Sequence, residues 1–416
     1  MKDILVIEGG QPLYGNVHIS GAKNAGLVLI AASIMAEGET ILDNVPRICD
    51  VEVMVQILNE MGVKAFWNED DSLSIIPPAT TVKTQTPYEL AKKLRASNLF
   101  LGALLGRQGE AIVSLPGGCD IGSRPMDLHL KGAQALGADI DIEHGYIYAR
   151  ALQMHGSRVY LDFPSVGATE NIMMMAVKTP GLSIIENAAK EPEIVDLANF
   201  LNSMGGKIRG AGTDLIKIEG VPVLNACRYT IIPDRIEAGT YMIAAAITGG
   251  EVLVENVIPT HLHPIVAKLQ ETGATVQETE QGLLVKGGQR ILPADIKTLP
   301  YPGFPTDMQS QMMALLSLAE GTSVIVENVF ENRFQIVDEL KRMGAKIKLE
   351  GHSAIVEGTP SLYGARVKAT DLRAGAALVL SALAARGETT IEEAIHIFRG
   401  YEDIETKLKS LGAKIK

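Results

Sequence analysis

Cys119 stands in the stretch "LPGGCDIGSRPMDLHLKG", residues 115–132, between a Gly-Gly pair and Asp120, with Arg124 five residues on. A cysteine kept for packing has apolar neighbours. One set among glycines, an acid and an arginine is placed where it can meet a reactant. Arg124 would lower the thiol's pKa and Asp120 would raise it, and the sequence leaves that balance open. Other polar residues collect where apolar segments begin: Lys23-Asn24, Ser165, Asp234-Arg235-Glu237, Asp307 and Asp371-Arg373. Arg95 lies inside another such segment, and Arg47, Arg124, Arg333 and Arg399 fall in loops. Asp307 or Asp371 could serve only as helix caps. Cations at the positive end of a helix dipole are unfavourable on their own, and a bound anion reverses that cost. Any one of them reads as solvated surface. Their recurrence at corresponding places in a chain of net charge −11 points to a cleft for an anionic ligand, with carboxylates and a thiol for proton transfer.

The elements that must position these residues repeat six times. A helix-ending pattern recurs as "LNEMGVKA", "AQALGADI", "LNSMGGKI", "LQETGATV", "LKRMGAKI" and "LKSLGAKI", with its glycines at 62, 137, 205, 273, 344 and 412. Glycine there reads as the left-handed residue that stops a helix. Before each lies another helical segment rich in Ala, Leu and Met, such as "DRIEAGTYMIAAAITGG", apolar over most of its circumference and therefore buried. Strand-like runs such as "GEVLVENV" lie between. The repeat is a βαβαβ-type unit of about 70 residues, too long for a solenoid. Six units make an α/β (α+β) protein of two pseudo-symmetric domains of three units, with helices inside and sheets outside. The expected domains are 21–232, carrying the Cys119 loop, and 1–20 plus 233–416, with the active site in the cleft between them. The N-terminal strand is expected to pair with the last unit. From the glycine closing each first helix to that closing the second, the intervals are 24, 28, 24, 24, 23 and 25 residues. The excess falls in the second unit, at "PGGCDIGSRP", a loop the other five copies show to be dispensable for folding.

Composition narrows the class. Three cysteines form no disulfide framework and fit a reducing cytoplasm. The acidic net charge argues against nucleic acid, and the longest apolar runs are too short to cross a bilayer. Neither a dinucleotide fingerprint nor a phosphate-loop motif is present. The oligomeric state is open.

At the residues named above the sequence closely resembles the enolpyruvyl transferases. The matching motifs are "SGAKNA" at 20, "LRASN" at 94, "LPGGCDIGSRPMDLH" at 115, "SVGATENIM" at 165, "PDRIEAGT" at 233, "FPTDMQ" at 304, "VFENRF" at 329, "TDLRA" at 370 and "FRGYE" at 398. The resemblance implies an inside-out α/β barrel fold. It also implies transfer of the enolpyruvyl group of phosphoenolpyruvate to the 3-hydroxyl of UDP-N-acetylglucosamine, with release of phosphate and no metal or organic cofactor. Lys23 and Asn24 would hold phosphoenolpyruvate, with Arg95, Arg124 and Arg399 neutralising its anionic groups or the nucleotide diphosphate. Arg124, Pro125, Met126, Asp127 and Leu128, with Val329, would line the nucleotide pocket. Ser165, Val166, Gly167 and Arg333 join the substrate-binding set. Asp307 would accept the sugar hydroxyl's proton, and Asp371 and Arg373 would sit beside the reacting carbon. Cys119 would be the general acid at the methylene carbon and the target of the epoxide fosfomycin. Two other readings stay in view: the sister reaction on shikimate 3-phosphate, and a silent paralogue that only binds the nucleotide. His129 reads as a structural histidine, Cys49 and Cys227 as inert, and the Met173–Met175 run as core packing.

Overall fold

The computed structural model describes residues 3–115, 122 and 125–416; Cys119, Arg124 and most of the lengthened loop lie outside the described residues. All six helix-stopping glycines take the left-handed conformation, with φ of 89° at Gly62, 97° at Gly137, 101° at Gly205, 91° at Gly273, 95° at Gly344 and 100° at Gly412. The apolar helices preceding them, Lys23–Ala32, Phe100–Gln108, Val166–Ala176, Arg235–Thr248, Gln309–Leu316 and Leu372–Ala384, are buried over most of their surface. Arg235–Thr248 shows how the sequence achieves this. Asp234 Oδ1 accepts the Ile236 and Glu237 N–H groups at 2.8 and 2.9 Å, an unbroken buried run from Ile236 to Ile247 follows, and Gly249 ends it. Each fully buried Leu, Ile or Met on such helices contributes roughly 1.5–3 kcal/mol. Met173, Met174 and Met175 have no exposed surface and are core.

One expected helix is broken. Residues 87–109 form a short helix Tyr88–Ala91, a 3₁₀ turn Arg95–Leu99 and the helix Phe100–Gln108. Ser97 Oγ donates back to the Ala91 carbonyl at 3.0 Å, and Leu94 is extended, so the backbone turns afresh at Arg95. Arg95 therefore opens a turn rather than lying within a helix.

The described strands form five four-stranded sheets and one three-stranded sheet. In each four-stranded sheet one outer strand runs parallel to its neighbour while the other pairs are antiparallel. Thr322–Val326, for example, pairs in parallel with Ile296–Lys297 and antiparallel with Ser353–Glu357, which pairs with Lys346–Glu350. The N-terminal strand Ile4–Glu8 lies between Glu388–Glu392 and Lys414–Ile415 in the last sheet.

The described residues divide into two compact units, 21–115 with 125–232, and 3–20 with 122 and 233–416. Each has its own core. The strand before each chain crossing stays behind in its own unit. Tyr14–His18 precedes the helix Lys23–Ala32 yet pairs with Glu251–Glu255, and Arg228–Thr230 precedes Arg235–Thr248 yet pairs with Thr40–Asp43. In the first unit the Ala22 N–H donates to Ile232 O at 2.7 Å. In the second, Asp234 N–H donates to Ser20 O at 2.9 Å, and Ser20 N–H to the buried Glu237 at 3.0 Å. Lys407 closes that network, 2.7 Å from Glu237 and 2.6 Å from Ser20 Oγ.

Candidate active site

In the unit 3–20 with 233–416, Asp307 is the centre of the polar arrangement. It sits in a 3₁₀ turn, Thr306–Met308, just before the helix Gln309–Leu316. Its Oδ1 is 2.8 Å from Arg333 and its Oδ2 2.9 Å from Arg373, both arginines being buried. Burial pushes the Asp307 carboxyl up, but Arg373 and Arg333 outweigh it and hold it well below the usual carboxylate range. For Arg373 burial disfavours the charge, and Asp307 reverses that and holds the guanidinium above its ordinary value. Arg373 also donates to the Tyr401 hydroxyl at 3.3 Å, which lies 2.9 Å from Thr240 Oγ1. Gln311 donates to Tyr401 and, at 2.9 Å, to the Asp307 carbonyl. A fixed, ionised acceptor held by two cations is thereby assembled from five separate segments.

Asp371 caps the helix Leu372–Ala384, its Oδ1 accepting the Arg373 and Ala374 N–H groups at 2.8 and 3.0 Å. That cap fixes the backbone from which Arg373 reaches Asp307. Val329 is half-buried in the loop after Thr322–Val326. Arg399 ends the 3₁₀ segment Ala394–Arg399, also half-buried.

In the unit of residues 21–115 with 125–232, Lys23 opens the helix Lys23–Ala32, whose N-terminus has no side-chain cap and no acid in its first turn. Its Nζ lies 2.6 Å from Asp50, and both residues are buried. Asp50 opens the neighbouring helix Cys49–Glu60 and meets the cost of placing a lysine at a helix N-terminus. Asn24 is exposed beside it, and Arg95 is half-buried. Pro125 and Asp127 are exposed, Met126 is buried and Leu128 half-buried, at the start of Asp127–Ala135. Ser165 caps Val166–Ala176 by accepting the Ala168 N–H at 3.3 Å. These two helix starts are tied together by buried polar groups. Asn171 donates to His129 Nδ1 at 2.8 Å and to the Asn98 carbonyl, and accepts the Gly102 N–H at 2.6 Å. Asn98 in turn donates to Met126 Sδ at 3.3 Å. Burial and the field of Arg95 hold His129 at a pKa of about 4, so a neutral imidazole accepts at Nδ1. Gly167 lies against that ring: a Cβ there would come within 3.0 Å of Cε1.

Arg47 does not join this set. It is exposed, stacks 3.7 Å over Trp67 and pairs with Asp71. Among the described residues no cluster of three His, Cys, Asp or Glu side chains could hold a metal, and no helix is long and apolar enough to cross a membrane. Sequence reasoning missed Asp50, Thr240, Gln311 and Tyr401. Tyr401 and Thr240 carried a signal, since they lie inside the quoted "FRGYE" and "PDRIEAGT".

The chain matches the EPSP synthase (3-phosphoshikimate 1-carboxyvinyltransferase) family over residues 7–408 and belongs to it. It is 57% identical to UDP-N-acetylglucosamine 1-carboxyvinyltransferase 1 of Caldanaerobacter subterraneus subsp. tengcongensis, covering 100% of this chain and 99% of that one. It is 58% identical to UDP-N-acetylglucosamine 1-carboxyvinyltransferase 2 of Carboxydothermus hydrogenoformans, covering 99% and 98%. Among solved structures it resembles the enolpyruvyl transferase NikO of Streptomyces tendae, with a TM-score of 0.88 at 26% identity over 99% and 98% of the two chains.

Proposed function

We propose that the protein transfers the enolpyruvyl group of phosphoenolpyruvate to the 3-hydroxyl of UDP-N-acetylglucosamine, releasing phosphate, the first committed step of peptidoglycan synthesis. The observation that carries this is identity of more than half over the full length to relatives bearing that activity in their names. Both substrates are cytoplasmic metabolites, and the reading places the enzyme there. The architecture is read as an inside-out α/β barrel of two three-unit domains.

The reaction is an addition followed by an elimination. The hydroxyl adds to C2 of phosphoenolpyruvate while C3 takes a proton, giving a tetrahedral intermediate. Loss of phosphate and of a C3 proton restores the enol ether. Cys119 is assigned as the acid at C3. Asp307 is assigned as acceptor of the hydroxyl proton. A carboxylate held so far below its usual range is a weak base, and that suits a proton that becomes acidic only as the C–O bond forms. Its two arginines keep it ionised and aimed, so no reorganisation accompanies the step. Lys23, Asn24, Arg95, Arg124 and Arg399 are assigned to the phosphate and carboxylate of phosphoenolpyruvate or to the diphosphate. Pro125–Leu128, Ser165–Gly167 and Val329 are assigned to the sugar nucleotide. Asp371 and Arg373 are placed beside the reacting carbon.

The test is phosphate release from phosphoenolpyruvate with UDP-N-acetylglucosamine, with shikimate 3-phosphate and with neither, before and after fosfomycin. Release only with the sugar nucleotide, abolished by fosfomycin in the native protein and retained after Cys119→Asp, supports the assignment. Release with shikimate 3-phosphate overturns the acceptor. Nucleotide binding without release overturns the catalytic roles.

A further inference from the structure

In five of the six units the first inter-helix strand leads into an acid followed by Asn or Glu: Asp43-Asn44, Glu186-Asn187, Glu255-Asn256, Glu327-Asn328 and Glu392-Glu393. In four of them the strand runs through the acid and the next residue turns left-handed, at φ 57° for Asn44, 56° for Asn187, 55° for Asn256 and 54° for Glu393. None of those four acids is buried. Each takes a partner near the surface: Arg228 for Asp43, Arg158 for Glu186, Asn16 for Glu255 and Arg366 for Glu392.

Glu327 departs from its counterparts. Its strand stops at Val326, Asn328 is not left-handed, and Glu327 turns inward with 1% of its surface exposed. Its Oε1 accepts from Thr298 Oγ1 at 2.7 Å, from the Val329 N–H at 2.8 Å and from the Phe330 N–H at 3.1 Å. Its Oε2 accepts from Thr306 Oγ1 at 2.8 Å. Thr306 Oγ1 accepts from Arg333 at 3.2 Å, and the same guanidinium holds Asp307. The four other units show that the strand and loop form without a buried acid. A carboxylate withdrawn from water and met by four donors is costly to build unless its geometry matters.

We propose that Glu327 is a positioning residue: through one oxygen it sets the Val329–Phe330 backbone, and through the other the Thr306–Arg333–Asp307 chain, fixing the distance between the acceptor sugar's pocket and the group that takes its proton. This rests on the assignment of Asp307 and Val329 above. Glu327→Gln presents a donor where a hydrogen-bond donor already points. It raises KM for UDP-N-acetylglucosamine and lowers kcat, each about tenfold, the size of one lost charged hydrogen bond, and leaves KM for phosphoenolpyruvate within about twofold. Thr306→Val cuts only the second arm: kcat falls about tenfold while KM for the sugar nucleotide stays within about twofold. Glu255→Gln, the equivalent change one unit earlier, alters none of these constants. The readout is steady-state kinetics in both substrates, on protein whose thermal midpoint and active fraction are measured alongside. A Glu327→Gln protein that is merely less stable, with all constants per active site unchanged, overturns the proposal. So does an equal rise in both KM values. Asp307→Asn separates the two readings: wild-type kcat in that variant removes the proton-acceptor assignment, whereas the KM of Glu327→Gln still judges the hold on Val329.

Discussion

Removing both arginines from Asp307 should bring its titration into view. In the native protein two guanidiniums keep the carboxyl well below its ordinary range, so Asp307 stays ionised and contributes no acid limb to kcat/KM at any pH where the enzyme is assayed. Arg333→Met combined with Arg373→Met deletes the partners 2.8 Å from Oδ1 and 2.9 Å from Oδ2. At an effective dielectric of about 20, unit charges at either separation attract by about 6 kcal/mol. Asp307 keeps 26% of its side chain in contact with solvent, which screens much of this. A rise of about 1–3 pH units per arginine is the expected remainder. Burial, no longer outweighed, acts in the same direction. The assay is the pH dependence of kcat/KM, which reports the free enzyme, for native protein, the double methionine variant and the double lysine variant at Arg333 and Arg373. The methionine variant gains an acid limb displaced upward by at least about one unit, whereas the lysine variant, keeping the charge, shows little displacement. Its overall rate falls too, but the limb's position is the readout. Superimposable profiles for native and methionine proteins would refute the electrostatic account of Asp307.

His129, at about 4 when folded and 6.5 ordinarily, takes its proton later in the folded protein than in the unfolded one. Stability is therefore lost as pH falls from about 6.5 to about 4, by up to roughly 3 kcal/mol, and urea melts at both ends should show that component missing from His129→Gln. Glu237 runs the opposite way: burial lifts it to about 7 despite Lys407, so its contribution is complete below about 4.5 and is lost as pH rises through 7. Glu237→Gln should remove that slope, again up to roughly 3 kcal/mol, from denaturation curves taken across the same interval. At Gly102 a Cβ would lie 2.5 Å from the Asn171 carbonyl oxygen and 2.6 Å from its side-chain oxygen. Gly102→Ala should cost about 1–3 kcal/mol by denaturant titration, and an unchanged midpoint would show that the two helices separate freely there.

The sequence made some of this legible and hid the rest for physical reasons. The six helix-stopping glycines were readable because glycine takes that backbone without the cost a Cβ adds, and the buried helices because they lack a polar face. Asp307, Arg333 and Arg373 were readable as charges near helix starts, but not their pairing, which depends on segments 26 and 66 residues apart. Arg47 followed the same local rule as Arg333 and ended on the surface, because Trp67 offers its ring. Glu327 was hidden in plain letters: its Glu-Asn pair repeats Glu255-Asn256, and two of the donors that meet its inward carboxylate, Thr298 and Thr306, lie 29 and 21 residues away.

The strand pairing at the two chain crossings has a consequence for cutting and rejoining the chain. Because Arg228–Thr230 remains in the sheet of Thr40–Asp43, every described strand of 21–232 finds its partners within that contiguous segment. Its ends are also held together, by the Ala22 N–H on Ile232. The segment is thus a self-contained insert, excisable as one piece without orphaning a strand. What remains, 3–20 and 233–416, can be made continuous in the other order. Lys416 N–H donates to Val6 O at 2.9 Å, so a linker of about four residues from 416 to 3 would span the few strand residues between them. A chain that begins at 233, runs through that linker and ends at 20 keeps Ile4–Glu8 in the last sheet and Tyr14–His18 beside Glu251–Glu255. Two genes could then encode what one chain now folds.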